Sequence, residues 1–315
     1  MQSEKTGNFE NNPLMRAALL NEQVFPSATL YIVGLPIGNA ADMTLRALWT
    51  LALSDAIACE DTRETRKLLD RYAISTPCVA VHEHNEREAA QKLIERLRAG
   101  ERIALVTDAG TPAVSDPGAR VVQSVREAGF RVVPVPGASA VITAMSAAGL
   151  NAYRFTFAGF VDPAGKARKE AISSLAERGE AFVLYEAPHR IQDLLEILSG
   201  ELEPNRRVVI AREITKKFEE ISTVKAQDLL AWSSTHEPKG EYVILVDERT
   251  HDTQEEDRPD EVTLRWARLI AKELPVSRAA AIAAKASGLH RDAIYKALLT
   301  KEEKKLGRPK NRAPF

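Results

Sequence analysis

The chain has 315 residues, 44% of them hydrophobic and 28% charged, with 43 basic against 44 acidic side chains and a net charge of −1. That is the composition of a soluble globular protein of about two domains, with no global basic field to announce nucleic acid, although a local basic face can bind phosphates by itself. Two cysteines, Cys59 and Cys78, make neither a disulfide nor a metal framework, which points to a reduced, cytoplasmic setting, and no run approaches a membrane span.

Met1 to Ser27 is polar and uneven and reads as a flexible leader. Thr29 to Val33 (TLYIV) reads as a buried strand that runs into Gly34-Leu35-Pro36-Ile37-Gly38-Asn39. A helix is expected from about Asp42, with Leu45, Leu48, Trp49 and Ala52 at helical spacing. Ala56 to Cys59 is a short strand ending in Glu60-Asp61-Thr62-Arg63, a helix spans Arg63 to Tyr72, and Cys78 to His82 returns to strand. Glu86 to Ala99 is amphipathic and stops at Gly100. Two strand–loop–helix units follow. Ile103 to Val106 runs into Asp108-Ala109-Gly110-Thr111-Pro112, and Val132 to Val135 into Pro136-Gly137-Ala138-Ser139-Ala140. Strands alternating with helices predict an α/β fold with a mainly parallel sheet, and ligands bind at the carboxyl ends of such strands.

A boundary is expected near Gly149-Leu150-Asn151, separating an α/β domain over 28–150 from a second over 151–249. The second begins with RFTFAGF (Arg154 to Phe160) and continues through a helix near Ala167 to Glu177 and strand Ala181 to Tyr185. A helix from Pro188 to Leu198, strand Arg207 to Ala211 and strand Tyr242 to Val246 complete it, as a mixed sheet. Residues 250–261 are acidic and poor in apolar side chains, as in a linker. Val262 to Leu274 and Ser277 to Leu299 form a small helical tail with a helix–turn–helix outline, Ser277 capping one helix and Gly288 breaking it. From Lys301 onward, Lys301, Lys304, Lys305, Arg308, Lys310 and Arg312 stand against two acidic residues.

Gly34 to Asn39 lacks the G-x-G-x-x-G spacing of a dinucleotide loop, and Pro36 occupies its middle, which disfavours a nicotinamide oxidoreductase. The ordered set G-L-P-I-G-N, D-A-G-T-P-x-x-S-D-P-G and V-P-G-A-S-A resembles instead the tetrapyrrole-methylase-like superfamily of methyltransferases. Tyr185-Glu186-Ala187-Pro188-His189-Arg190, Ala211-Arg212-Glu213-Ile214-Thr215-Lys216-Lys217-Phe218-Glu219 and Lys239-Gly240-Glu241 narrow the resemblance. Together with Cys59-Glu60-Asp61-Thr62-Arg63 and His82-Glu83-His84-Asn85 they are similar to the bacterial ribosomal RNA small-subunit methyltransferase I family. One departure is the segment from Gly159 to Lys166, which carries Asp162 where the family has leucine-proline and a lysine after the phenylalanine.

The resemblance implies two α/β domains with S-adenosylmethionine in the cleft between them, a homodimer, and methylation of a cytidine ribose 2′-hydroxyl in the decoding region of 16S ribosomal RNA. It implies a cofactor cradle of Ile37, Gly110, Thr111, Val114, Ser139 and Ala140, flanked by Tyr185 and Ala211 and closed by Gly240 and Glu241. A ribose hydroxyl is a weak nucleophile, and Asp108 and Glu186 are carboxylates that could take its proton; capping by Asp108, pairing of Glu186 with Arg190 or Arg212, and proton loss to water with catalysis by alignment alone are the alternatives. Three basic clusters are candidates for the RNA backbone: Arg63, Arg66 and Lys67; Lys166, Arg168 and Lys169; and Lys216 with Lys217. His82 and His84 lack a third ligand and predict no metal site. A tetrapyrrole-like small substrate, and a cofactor-sensing RNA-binding protein without turnover, are the competing functions.

Overall fold

The apolar runs become two five-stranded sheets. The computed structural model describes residues 9, 11–82, 85–150, 153–162, 165–249 and 259–302. The expected roles of Glu83, His84, Asn151, Pro163 and Ala164, the linker through 258 and the basic end beyond 302 lie outside those residues. Contacts divide the chain into 1–249, which holds both sheets, and 250–315. No described helix is long and apolar enough to cross a membrane.

The first sheet contains β1 (Thr29–Val33), β2 (Ala56–Cys59), β3 (Cys78–Ala80), β4 (Arg102–Leu105) and β5 (Arg131–Val135), all parallel in the order β3-β2-β4-β1-β5. Helices cover both faces, which is why β1, β2 and β4 are buried along nearly their whole length rather than alternating. The helix expected from Asp42 begins at Leu45, where the Thr44 hydroxyl accepts from Ala47 N–H at 3.1 Å; Ala40–Asp42 is a separate 3₁₀ turn capped by Asn39. The expected leader is packed where it is described. Phe9, Met15, Leu20 and Phe25 are buried in one cluster with Tyr31 and Trp49, and Asn12 caps a short helix, Pro13–Ala17. Met15, Leu20 and Phe25 each follow an exposed apolar neighbour, Leu14, Leu19 and Val24, so no clean period marked the buried side.

Three neighbouring strands, β4, β1 and β5, end in the three glycine turns, and the turns lock together. Leu35 N–H donates to the Gly110 carbonyl at 2.8 Å and Gly110 N–H to the Leu35 carbonyl at 3.2 Å. The Thr111 hydroxyl donates to the Ala138 carbonyl at 3.1 Å. Gly34 and Gly137 pass so closely that a Cβ on Gly137 would lie 2.6 Å from the Gly34 carbonyl oxygen. Only glycine permits that approach.

The second sheet contains β6 (Phe155–Phe160), β7 (Ala181–Glu186), β8 (Arg207–Arg212), β9 (Glu220–Lys225) and β10 (Tyr242–Val246), in the order β6-β7-β10-β8-β9. Only β6 and β7 are parallel, so the sheet is mixed. β9 and the helix Leu229–Thr235 were not anticipated. β9 is an edge strand whose alternate residues face water, so its sequence, EISTVK, carries little apolar signal.

A buried ionic cluster anchors the end of β7. The Arg168 side chain is 0% exposed; its Nη2 lies 2.6 Å from Glu186 Oε2, its Nε 2.7 Å from Asp193, and its Nη1 donates to the Asp162 carbonyl at 3.0 Å. Arg190 Nε lies 3.1 Å from Glu186 Oε1, and its Nη2 donates to the Val161 carbonyl at 2.8 Å. The cluster ties the ends of β6 and β7 to the helices Gly165–Glu177 and Ile191–Glu201.

In the second unit, helices Glu261–Ile270, Val276–Ser287 and Arg291–Glu302 bury Ala267, Ala280, Ala283, Ile294 and Leu298 among themselves. Gly288, at φ +76°, ends the middle helix as expected of a left-handed cap. Ser277 does not cap it; the helix begins one residue earlier, after Pro275. The linker expected through Glu261 stops short, because Asp260 caps the first helix by accepting from Thr263 N–H at 2.6 Å.

Three stability outcomes follow. Gly137→Ala should lower the unfolding free energy by about 2 kcal/mol or more through overpacking against Gly34. Gly200→Ala, in a helix with open space around it, should raise it by roughly 0.5–1 kcal/mol; both are read by urea titration. Arg168→Ala, which leaves the buried Glu186 charge without its main partner, should cost about 3–5 kcal/mol in the same measurement.

Candidate active site

The three locked turns face the ends of β6, β7 and β8 and the start of β10 across a cavity of about 440 Å³. From the first half it is lined by Ile37, by Ala109, Gly110, Thr111, Val114, Ser115 and Asp116, and by Ser139 and Ala140. The second half contributes Phe160, Tyr185 to Pro188, Ile214 and Glu241 to Val243. A largely apolar hollow of this size with a few convergent polar groups is the usual form of a small-molecule site.

Three contacts hold the walls together. Val141 N–H, in the first turn of the helix Ala140–Ala148, donates to the Tyr185 hydroxyl at 3.0 Å, and the Tyr185 ring meets Phe157 and Phe160 edge-on at 4.9 and 5.5 Å. The Ser115 Oγ fills the place where Gly159 would carry a side chain, 2.6 Å from that Cβ position. The Lys216 stem lies over Gly38, 2.5 Å from where a Cβ would be, while its ammonium lies 2.8 Å from Glu213 and 3.1 Å from Glu241. Burial works against the Lys216 charge, yet the Glu213 and Glu241 carboxylates outweigh it and hold the ammonium above its ordinary range.

The loop between β4 and the next helix is bent by two non-glycine residues with left-handed backbone, Ala113 (φ +66°) and Ser115 (φ +62°), each costing about 1–3 kcal/mol. Its far end is held by the buried Glu86, whose carboxylate accepts from Gly118 N–H at 2.5 Å. This constrained path carries Val114, Ser115 and Asp116 to the cavity.

Of the residues expected in the cofactor cradle, Ile37, Gly110, Thr111, Val114, Ser139, Ala140, Tyr185 and Glu241 line the cavity. Ala211 is not among the lining side chains: it is fully buried, packed in the apolar cluster that also holds Ile37, Ala140, Tyr185, Ile214 and Val243. Gly240 stands behind the lining, its φ of +82° and the Glu213 side chain leaving no room for a Cβ.

Neither expected base has a carboxylate free in the cavity. Glu186 lines it only in part, since its carboxylate is 0% exposed and is held by Arg168 and Arg190; the ion pair that competed with catalysis is the one that forms, with Arg168 in place of Arg212. Asp108 is exposed beyond the lining and accepts from Asp61 N–H at 3.1 Å, a loop-fastening role.

The basic clusters divide. Arg168 is interior and unable to reach RNA. Arg66 is turned inward, donating to the carbonyls of Ile74 at 2.9 Å and Thr76 at 2.5 Å, and Lys216 is held by its two carboxylates. Arg63, Lys67, Lys169 and Lys217 remain exposed, and Lys166 is 90% exposed. The ion pairs Lys67–Glu64, Lys166–Glu170 and Lys169–Glu201 are surface pairs of the kind worth roughly 0–1 kcal/mol, too weak to withhold a lysine from phosphate.

Sequence reasoning passed over Asp116 and Phe160. Asp116 sits inside the quoted motif D-A-G-T-P-x-x-S-D-P-G, and Phe160 closes the quoted strand RFTFAGF, so the signal was present but its direction was not. Burial pushes the Asp116 carboxyl up to about 6, helped by the nearby Glu60 and Asp108 charges. Burial pushes the Cys59 thiol up to about 12, which leaves it inert. Among the described residues no group of His, Cys, Asp and Glu side chains is placed to hold a metal ion.

Residues 29–230 match the family model of tetrapyrrole (corrin/porphyrin) methylases, and residues 256–302 match that of the RsmI C-terminal HTH domain. The chain is 47% identical to ribosomal RNA small subunit methyltransferase I of Vibrio cholerae, covering 85% of this chain and 93% of that protein. It is 45% identical to the protein of the same name from Escherichia coli O157:H7, over 87% and 95%, and 41% identical to that of Bacillus subtilis, over 78% and 82%. Among solved structures, a cobalt precorrin-4 methyltransferase aligns with a TM-score of 0.55 at 18% identity, covering 71% of this chain and 98% of that one, a likeness of fold. The stitched glycine turns, the cavity they frame and the extent of these identities lead to one conclusion: the chain belongs to the ribosomal RNA small subunit methyltransferase I family, built on the tetrapyrrole-methylase fold.

Proposed function

We propose that this chain transfers a methyl group from S-adenosylmethionine to the ribose 2′-hydroxyl of a cytidine in the decoding region of 16S ribosomal RNA, working in the cytoplasm as a homodimer. The observation that carries the reading is the cavity itself, framed by three glycine turns at the ends of adjacent parallel strands and opening between two sheets. Its lining fits the cofactor. Gly110, at φ +72°, leaves open the space a Cβ would take beside Ile37 Cγ2, 3.5 Å away, where the backbone can meet a ligand directly. Ile37, Val114, Ile214 and Val243 offer apolar contact for an adenosyl group, and Thr111, Ser139 and Glu241 offer polar partners.

When bound, the cofactor supplies an electrophilic methyl group on a sulfonium. The protein contributes alignment and exclusion of water. The turn backbones fix one wall, and Tyr185, clamped between Val141 and the two phenylalanines, fixes the other. Arg63, Lys67, Lys166, Lys169 and Lys217, all exposed, supply phosphate contacts for the RNA, and the three-helix unit over 259–302 adds a further RNA contact. A tetrapyrrole substrate is disfavoured because the solved tetrapyrrole enzymes share only the fold at 18–22% identity, whereas the relatives at 40–47% are named as ribosomal RNA enzymes.

The test is transfer of label from methyl-labelled S-adenosylmethionine to unmodified small ribosomal subunits. Label is expected in a nuclease-resistant dinucleotide carrying 2′-O-methylcytidine. Cofactor binding without labelled RNA would leave a sensor or a small-molecule acceptor. Ser139→Trp places a bulky ring in the cavity at a position whose own hydroxyl caps nothing, and it should weaken cofactor binding by about tenfold or more, roughly 1.4 kcal/mol, measured by calorimetry.

A further inference from the structure

At the cavity's edge stand two side chains that the cofactor reading does not use: the Asp116 carboxylate and the ring of Phe160, which is 56% exposed. Their chain neighbours touch: the Ser115 Oγ fills the space beside Gly159, and Asp116 and Phe160 are the next residues in their own loop and strand. Tyr185 joins them, with its ring 5.5 Å from that of Phe160 and its phenol feeling the Asp116 charge. Among the described residues no hydrogen bond or ion pair engages the Asp116 carboxylate, although it is half-buried. A half-buried acid with no cation beside it and a large exposed ring lining the same cavity are both unfavourable for an empty protein, and both are suited to a nucleoside.

We propose that this edge is the acceptor-nucleotide subsite, in which the target base stacks on Phe160 and Asp116 accepts the proton of the ribose 2′-hydroxyl. The proposal rests on the methylation reading above and names the groups that perform it. Single-stranded bases splayed from RNA are commonly held on aromatic faces, and a ring at the rim is positioned for that. In the transfer, the 2′-oxygen forms the new bond to the methyl carbon as that carbon's bond to the sulfonium sulfur breaks, and the bonding pair leaves with sulfur. The hydroxyl proton passes to an Asp116 carboxylate oxygen and from there to water.

The surroundings suit a base. Glu60 at the end of β2 and Asp108 at the end of β4 face Asp116 with like charge, and Tyr185 faces it from β7. Glu186 and Glu241 border the same cavity, but Arg168 and Arg190 hold the first and Lys216 the second. Burial and the two facing carboxylates raise Asp116 to about 6, close to the neutral operating range where a general base is most effective. The sign is fixed by the role: transfer should rise with pH through about 6 as Asp116 loses its proton, then level off.

The experiment compares the full-length protein with Asp116→Asn and Phe160→Ala on small ribosomal subunits, with cofactor binding measured separately by calorimetry. Asp116→Asn should bind cofactor as the parent does, lose about 10²–10⁴-fold in kcat, and lose the acid limb of the pH profile. Phe160→Ala should raise KM for the subunit by about tenfold with kcat less affected, and Phe160→Trp should restore it. In the parent, without cofactor or RNA, a carbon-13-labelled aspartate carboxyl signal absent from Asp116→Asn should titrate near 6. An Asp116→Asn enzyme with parental kcat and an unchanged acid limb, in a preparation whose parent methylates RNA, would overturn the subsite and leave the function standing. A parent that binds cofactor and labels no RNA would overturn both.

Discussion

Everything at the cavity depends on how closely two backbones pass at Gly34 and Gly137. Side chains at either position would force β1 and β5 to release their turns, and with them the Leu35–Gly110 pairing that draws the β4 loop alongside. The sheet order makes this possible, because β1 lies between β4 and β5 and all three point the same way. Three loops that are far apart in the chain thus emerge on one edge, where unpaired backbone groups and the starts of the following helices favour a ligand.

The opposite wall depends on a different interaction. The Arg168–Glu186–Arg190 cluster sits under the end of β7, just behind Tyr185. Buried ion pairs add little net stability, but a broken one is costly, so the cluster enforces a single arrangement of the β6 and β7 ends. Tyr185 and Phe160 inherit their positions from it. One wall is therefore placed by the absence of side chains and the other by the pairing of charged ones.

That division explains which expectations survived contact with the structure. The glycine turns, the strands before them and the mixed character of the second sheet were legible because their signals are local: a short apolar run, a turn residue, a helical spacing. β9 and the packed segment around Phe9, Met15, Leu20 and Phe25 were not, since an edge strand and scattered anchors leave no periodic trace. Cavity residues carried on the turns were named from their motifs, whereas the burial of the Ala211 side chain was not legible, because a strand end and a core position look alike in sequence.

The fate of charged residues lay beyond any motif. Lys166, Arg168 and Lys169 read as one basic cluster, yet the helix turns Lys166 to solvent and Arg168 into the interior, toward carboxylates 18 and 25 positions later. Glu186 and Asp116 were equal as carboxylates in the chain; the fold surrounds one with arginines and the other with Glu60 and Asp108. The amino-acid sequence by itself determined the family, the α/β class and the three turns, because backbone conformation there is dictated by the residues at the turn. Only the tertiary structure decided which acid is neutralised and which is left poised at the cavity, because an ionisable group's behaviour is set by burial and by partners brought from distant parts of the chain.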